Sequence, residues 1–161
     1  MSILHIYTDG SHLDKLNNGR LGCGGVLVSG GKAIDTFSVE LTSDFMKEKF
    51  GADQCSNPSA ELVAVYFSLL AFESQLKKAD SVIFYADYIG VGNWMTGSWK
   101  IKEPYIKSIK AAIDKEISRQ KLEGKISFKW VKGHQTFTQK GTDAYWNNYV
   151  DKLAKGGKPN D

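Results

Sequence analysis

The segment Ser81-Val82-Ile83-Phe84-Tyr85-Ala86 restricts most tightly how this chain can fold. A short, nearly continuous apolar run of strand-forming residues suits a strand buried on both faces, inside a sheet covered by helices. What precedes it sets its direction. Three strand-like runs come first, Leu4 to Thr8, Gly22 to Val28 and Ala33 to Leu41, the last two joined by the turn Ser29-Gly30-Gly31-Lys32. A helix follows, with Asn57 as its expected cap, Pro58 at its start, and Leu62, Val63, Tyr66, Leu69 and Leu70 at helical spacing. A helix between the meander and the apolar run lets that run lie parallel to the first strand.

The remainder extends the same plan. A short helix is expected around Ile89 to Met95, and Pro104 opens an amphipathic helix with the stripe Ile106, Ile109, Ile113 and Ile117. Ile126 to Val131 reads as a fifth strand, and a last helix runs from about Thr142 to Lys155, stopped by Gly156-Gly157. The order βββαβαβα predicts an α/β fold with a five-stranded mixed sheet flanked by helices. At 161 residues the whole chain, 1–161, is expected to form one domain, with residues 157–161 a frayed tail. His12 to Leu21 and Asp44 to Ser56 lack clear periodicity and read as long loops.

Several function classes are excluded at this stage. No apolar stretch approaches a membrane span and the N-terminus has no signal pattern, so a soluble cytoplasmic or nucleoplasmic protein with no membrane partner is expected. Cys23 and Cys55 are expected to be free thiols with no disulfide partner, in a monomer. The charge is uneven: Lys100 to Asp161 carries 14 Lys+Arg against 7 Asp+Glu, and the preceding residues carry 7 against 11. A basic C-terminal part would attract a polyphosphate, although solvated helix faces give the same count.

The acids are more informative than the total charge. Asp9 ends the first strand in Tyr7-Thr8-Asp9-Gly10-Ser11, where an acid is disfavoured and costly to bury unpaired. Asp87 ends the apolar strand in the same way. If those strands are parallel neighbours, the two carboxylates lie side by side at the C-terminal edge of the sheet, where open α/β sheets bind ligands. Their repulsion then requires a shared proton or a divalent cation. Glu61 is expected in the first turn of its helix, its charge stabilised there, and Asp151 lies one turn after Asn147 on the last helix. Each acid alone also reads as an ordinary turn, cap or surface residue. Together they form a set of hard oxygen donors suited to magnesium or manganese, and histidine and cysteine are too scarce for zinc.

Five phrases carry a resemblance: Tyr7-Thr8-Asp9-Gly10-Ser11, Asn57-Pro58-Ser59-Ala60-Glu61-Leu62, Tyr85-Ala86-Asp87-Tyr88, Trp130-Val131-Lys132-Gly133-His134 and Asn147 to Ala154. In this order the chain resembles the type 1 ribonucleases H from Tyr7 to about Ala154. The stretch from Asp87 through Trp94 to Lys100 is similar to the domains associated with caulimovirus-type hybrid-binding modules. The resemblance implies hydrolysis of the RNA strand of an RNA/DNA hybrid, leaving 5′-phosphate and 3′-hydroxyl ends. It maps four catalytic and metal-binding acids onto Asp9, Glu61, Asp87 and Asp151. It also implies two Mg2+ ions about 3.5 to 4 Å apart, with Mn2+ able to substitute, one activating water and the other stabilising the departing 3′ oxygen.

By the same resemblance, His134 assists proton movement or product and metal release. Gly10, Ser11, Asn57 and Asn18 are placed for contact with 2′ hydroxyls across the minor groove. Capping would engage the same Asn57 side chain. Asn147 contacts substrate or orients water, and Trp99, Lys100 and Lys102 hold the DNA strand, with Trp94 equally suited to core packing. Some features depart from bacterial members. The His12 to Leu21 loop is long, residues 44–56 look like an insertion, Ile89 replaces a polar residue, and Trp94 to Tyr105 is too short for a large basic protrusion. Two alternatives share the fold. A non-catalytic nucleic-acid-binding domain has no reason to keep four repelling acids, and a DNA nuclease fits the Asp-Gly-Ser turn and the Trp-Val-Lys-Gly-His loop less well.

Overall fold

Alternation along the first strand sets the layers of the molecule. In the computed structural model, which describes residues 2–13, 19–133, 135 and 139–157, β1 (Ile3–His12) turns Ile6 toward one core and Tyr7 toward another. It pairs antiparallel with β2 (Arg20–Ser29), which pairs antiparallel with β3 (Lys32–Thr42). On its other side it pairs parallel with β4 (Ser81–Ala86), and β4 pairs parallel with β5 (Ile126–Trp130). The five-stranded mixed sheet therefore has the order β3-β2-β1-β4-β5, with the apolar β4 covered as expected.

Helices close both faces. The larger core joins Ile6, Val82 and Phe84 of the sheet to Leu62 and Leu69 of α2 (Asn57–Ala71) and to the isoleucine stripe of α5 (Pro104–Arg119). The smaller core joins Tyr7, Val26 and Tyr85 to Trp146 and Val150 of α6 (Asp143–Ala154). Each such aliphatic side chain, once fully buried, stabilises the fold by roughly 1.5–3 kcal/mol. The short α4 (Ile89–Met95) follows β4 directly and buries Val91 and Trp94. Core packing thus accounts for Trp94. Cys23 is buried, Cys55 is partly buried, and they form no disulfide with each other.

Several local expectations need correction. β1 continues to His12 and β2 begins at Arg20, so the ladder enters the stretch read as a loop, with Ser11 opposite Gly22 and His12 opposite Leu21. The segment read as an unstructured insertion contains α1 (Ser43–Phe50). Thr42 Oγ1 accepts from Phe45 N at 3.1 Å, Gly51 ends the helix at φ 65°, and Met46 and Phe50 enter the core. Two turns with two inward residues leave too short a periodic signal to recognise. The unanticipated α3 (Glu73–Lys78) buries only Leu76. Asn57 does not cap α2. Ser56 does, its Oγ accepting from Ser59 N at 3.1 Å while Ser59 Oγ accepts from Ser56 N at 2.8 Å.

Asn18, His134 and residues 158–161 of the expected tail lie outside the described residues. Among the described residues, no helix is long and apolar enough to cross a membrane.

Candidate active site

Acids from both faces of the sheet converge because glycines let helices approach it. At Gly10 a Cβ would sit 2.2 Å from the Ala60 carbonyl carbon and oxygen, so only glycine lets α2 press against the end of β1. Opposite Asp9, a Cβ on Gly24 would lie 2.7 Å from Leu153 Cβ, and its absence brings α6 down on the other face. Glu61 thus arrives from the α2 side and Asp151 from the α6 side. Asp87 comes from the parallel neighbour β4, which places it beside β1.

Carboxylate oxygens of Asp9, Glu61 and Asp87 lie within 4.8 Å of one another. Gly10 N–H donates to Asp9 Oδ1 at 3.0 Å and to Glu61 Oε1 at 3.2 Å, tying the two acids together through one backbone group. Glu61 Oε2 is buried without a hydrogen-bond partner. Asp151 lies outside that group of three, close enough for its charge to act on Asp9, and its Oδ2 accepts from Lys155 Nζ at 3.1 Å. The geometry therefore brings all four predicted acids together, three tightly and the fourth through Asp9.

The electrostatics follow from burial without a counter-charge. Burial pushes the Asp9 carboxyl up to about 7, and the charges of Asp87 and Asp151 add to the effect. Burial and the neighbouring Asp9 charge hold Glu61 well above its ordinary value. Glu61 is the fifth residue of α2, beyond the first turn, so the expectation that the helix N-terminus stabilises its charge is not met. Among the described residues, no Lys or Arg forms an ion pair with Asp9 or Glu61. A partnerless buried oxygen in an all-carboxylate cluster fits a hard divalent cation held by Asp9, Glu61 and Asp87.

The remaining predicted residues surround this cluster unevenly. Asn57 Oδ1 accepts from His12 N at 2.7 Å, joining the α2 start to the β1 end beside the half-buried Ser11. A cleft of about 390 Å³ is lined by Asn57, Pro58, Glu61, Asp87, Tyr88 and Gly133. Asn147 is buried on α6. Trp99 is 42% exposed and Lys100 and Lys102 are exposed, beyond the end of α4. Sequence reasoning gave no role to Tyr88 or Trp130. Tyr88 lines the cleft, and Trp130 Nε1 donates to the Asp87 carbonyl at 2.9 Å. For Tyr88 the available signal was its position next to Asp87; for Trp130 there was none, because its link to Asp87 crosses between strands.

The fold is shared with solved ribonucleases H1. The enzyme from the halophilic archaeon Halobacterium salinarum NRC-1 superposes with a TM-score of 0.69 at 21% identity, over 95% of either chain. LC11-RNase H1, isolated from compost by a metagenomic approach and solved in complex with an RNA/DNA hybrid, gives 0.71 at 20% identity, over 96% of this chain and 95% of that one. The N-terminal RNase H domain of rv2228c from Mycobacterium tuberculosis gives 0.69 at 19% identity, over 97% and 93%. At such identities these likenesses establish the architecture alone. No curated protein matches the sequence. The RNase H family model, however, matches residues 1–158, nearly the whole chain and all four clustered acids, and the protein belongs to the RNase H family.

Proposed function

We propose that the protein is a monomeric endoribonuclease that hydrolyses the RNA strand of an RNA/DNA hybrid, leaving 5′-phosphate and 3′-hydroxyl ends. The observation that carries the reading is the convergence of the carboxylates of Asp9, Glu61 and Asp87 within 4.8 Å of one another, with no Lys or Arg among the described residues forming an ion pair with Asp9 or Glu61. Two divalent ions, Mg2+ or in its place Mn2+, would supply Lewis-acid activation of water and stabilisation of the departing 3′ oxygen there. Asp9, Glu61, Asp87 and Asp151 are the groups that would hold them. Gly10 N–H fixes the orientation of two of those carboxylates before any ligand arrives.

The surrounding residues account for the substrate. With Asn57 Oδ1 engaged by His12, its amide nitrogen is the donor it offers to a 2′ hydroxyl, beside Gly10 and Ser11. Trp99, Lys100 and Lys102 form a track for the DNA strand, with cations on phosphates and an aromatic face on sugars. Asn147 orients groups around Asp151 from one turn away. His134 assists proton movement or product release, and its loss lowers turnover without abolishing it. That LC11-RNase H1 was solved holding an RNA/DNA hybrid supports the substrate assignment. Within the family, residues 87–100 favour a place beside the domains associated with caulimovirus-type hybrid-binding modules.

Incubation of labelled RNA/DNA hybrid, double-stranded RNA and double-stranded DNA with the protein and Mg2+ tests the reading. Cleavage of the hybrid alone is expected. Cleavage of DNA would select a DNA nuclease of the same fold, and binding without cleavage a non-catalytic domain. Raising salt should weaken hybrid binding steeply as phosphate counterions compete.

A further inference from the structure

The end of β5 and the residues that follow it touch Ala86 once and Asp87 twice, and the two contacts with Asp87 are not part of the sheet ladder. Val131 N–H donates to the Ala86 carbonyl at 2.9 Å, continuing the ladder one step past β5. The Trp130 indole N–H then reaches sideways to the Asp87 carbonyl at 2.9 Å, although half of the Trp130 surface stays in solvent. Gly133 closes the contact from the other end of the same residue. A Cβ there would meet Asp87 Oδ2 at 2.9 Å, Cβ at 3.1 Å and Cγ at 3.2 Å.

We infer that Trp130 and Gly133 are positioning residues for Asp87. Trp130 fixes its main chain where β4 gives way to α4, and Gly133 leaves free the space beside its carboxylate, which groups with Asp9 and Glu61. The constraint on Asp87 is steric as well as polar. With a methyl at position 133, the nearest atoms belong to the Asp87 side chain, so the carboxylate itself must give way. Its position relative to Asp9 and Glu61, now within 4.8 Å, would then change. The indole bond acts earlier in the same chain of effects, since it anchors the carbonyl bonded to the Cα that carries the side chain. Partners that orient metal-holding carboxylates typically change metal affinity by about 10–100-fold when removed.

The functional half of this inference rests on the hydrolase reading; the contact itself does not. The tests are Gly133→Ala and Trp130→Phe, the latter keeping an aromatic ring and losing the donor. Mg2+ binding is measured by calorimetry without nucleic acid, and hydrolysis is measured as kcat and KM for the hybrid against Mg2+ concentration. Gly133→Ala should weaken Mg2+ binding at least about tenfold and lower kcat with KM for the hybrid unchanged, and Trp130→Phe should do the same to a smaller degree. Unfolding of the metal-free protein supplies a double-mutant cycle. Gly133→Ala should lower Tm in the native background and leave it unchanged in Asp87→Ala, where the obstructing side chain is gone. Equal Tm losses in both backgrounds, or unchanged Mg2+ affinity in both single variants, would overturn the inference. If the native protein neither takes up Mg2+ nor cleaves hybrid, the hydrolase reading fails, and the contact still stands or falls by the unfolding cycle.

Discussion

Two buried glutamates lie on neighbouring helices of the same core and are treated in opposite ways. Glu116 on α5 is 9% exposed and sits among donors: Arg119 forms an ion pair with it and Gln120 Nε2 donates to it at 2.9 Å. Arg119 reaches on to Glu73 at 2.5 Å, and these donors hold the Glu116 carboxyl below its ordinary value. Glu61 on α2 is 5% exposed, accepts from the Gly10 backbone N–H, lies beside Asp9 and Asp87, and is held well above its ordinary value. A buried charge is tolerable when paired and costly when not. The fold thus satisfies an acid whose partners join helices and leaves one oxygen of the other without a donor among the described residues.

The largest test of this contrast is activity. Asp9→Asn and Asp87→Asn should each lower hybrid hydrolysis by roughly a thousandfold or more, because metal stabilisation of the transition state is worth several kcal/mol. Glu116→Gln should leave hydrolysis close to native. A near-native rate in either aspartate variant would remove the assignment.

Stability in EDTA should change with opposite signs at the two glutamates. Glu61→Gln is expected to raise Tm or leave it unchanged, since a repelling carboxylate becomes neutral. Glu116→Gln should destabilise by about 1 kcal/mol, in the ordinary range for a lost buried interaction. Added Mg2+ should raise Tm of the native protein by mass action, and Glu61→Gln should lose most of that increment. Thermal unfolding with and without Mg2+ measures all three.

The pH dependence of the metal-free protein separates the regions further. The Asp9 carboxyl titrates near 7 when folded and near 3.8 when unfolded, so its burial penalty is complete above pH 7 and disappears by about pH 4. The acid cluster should therefore make the protein more stable as pH falls across that window. Glu116 behaves in reverse: its contribution is present above its ordinary 4.5 and is lost as pH falls through its lower folded value. Tm against pH in EDTA should show the first trend in native protein and a flattened one in Asp9→Asn.

The smallest expected effect concerns Asp151, which belongs partly to both patterns. It faces Asp9 and also accepts from the exposed Lys155. Lys155→Met should change stability by no more than about 0.5 kcal/mol, as for other solvated ion pairs. A loss comparable to that of Glu116→Gln would move Asp151 into the paired class.

Much of this was legible in the residues. β4, the start of α5 and the end of α6 follow their hydrophobic periods and start and stop signals almost to the residue, and Asp9 within β1 and Asp87 just after β4 announce a charged sheet edge. Elements with weaker signals escaped. α1 turns only Met46 and Phe50 inward and α3 only Leu76, so neither presents enough repeats to show a period. Two candidates compete for the cap of α2 in Ser56-Asn57-Pro58, and only the position of His12, 45 residues away in sequence, shows Asn57 employed elsewhere.

Periodicity, turn chemistry and the placement of acids in apolar strands are local properties, and they determined the layers, the strand directions and the four residues worth watching. Contacts between residues tens of positions apart depend on how closely whole elements pack. Tertiary structure alone decided that Gly10 and Gly24 admit two helices to the ends of Asp9, that Glu116 finds an arginine and Glu61 does not, and that Trp130 and Gly133 meet Asp87. The physical reason is that distances of a few ångströms between such residues are set by the accumulated packing of the core, which no short window of sequence contains.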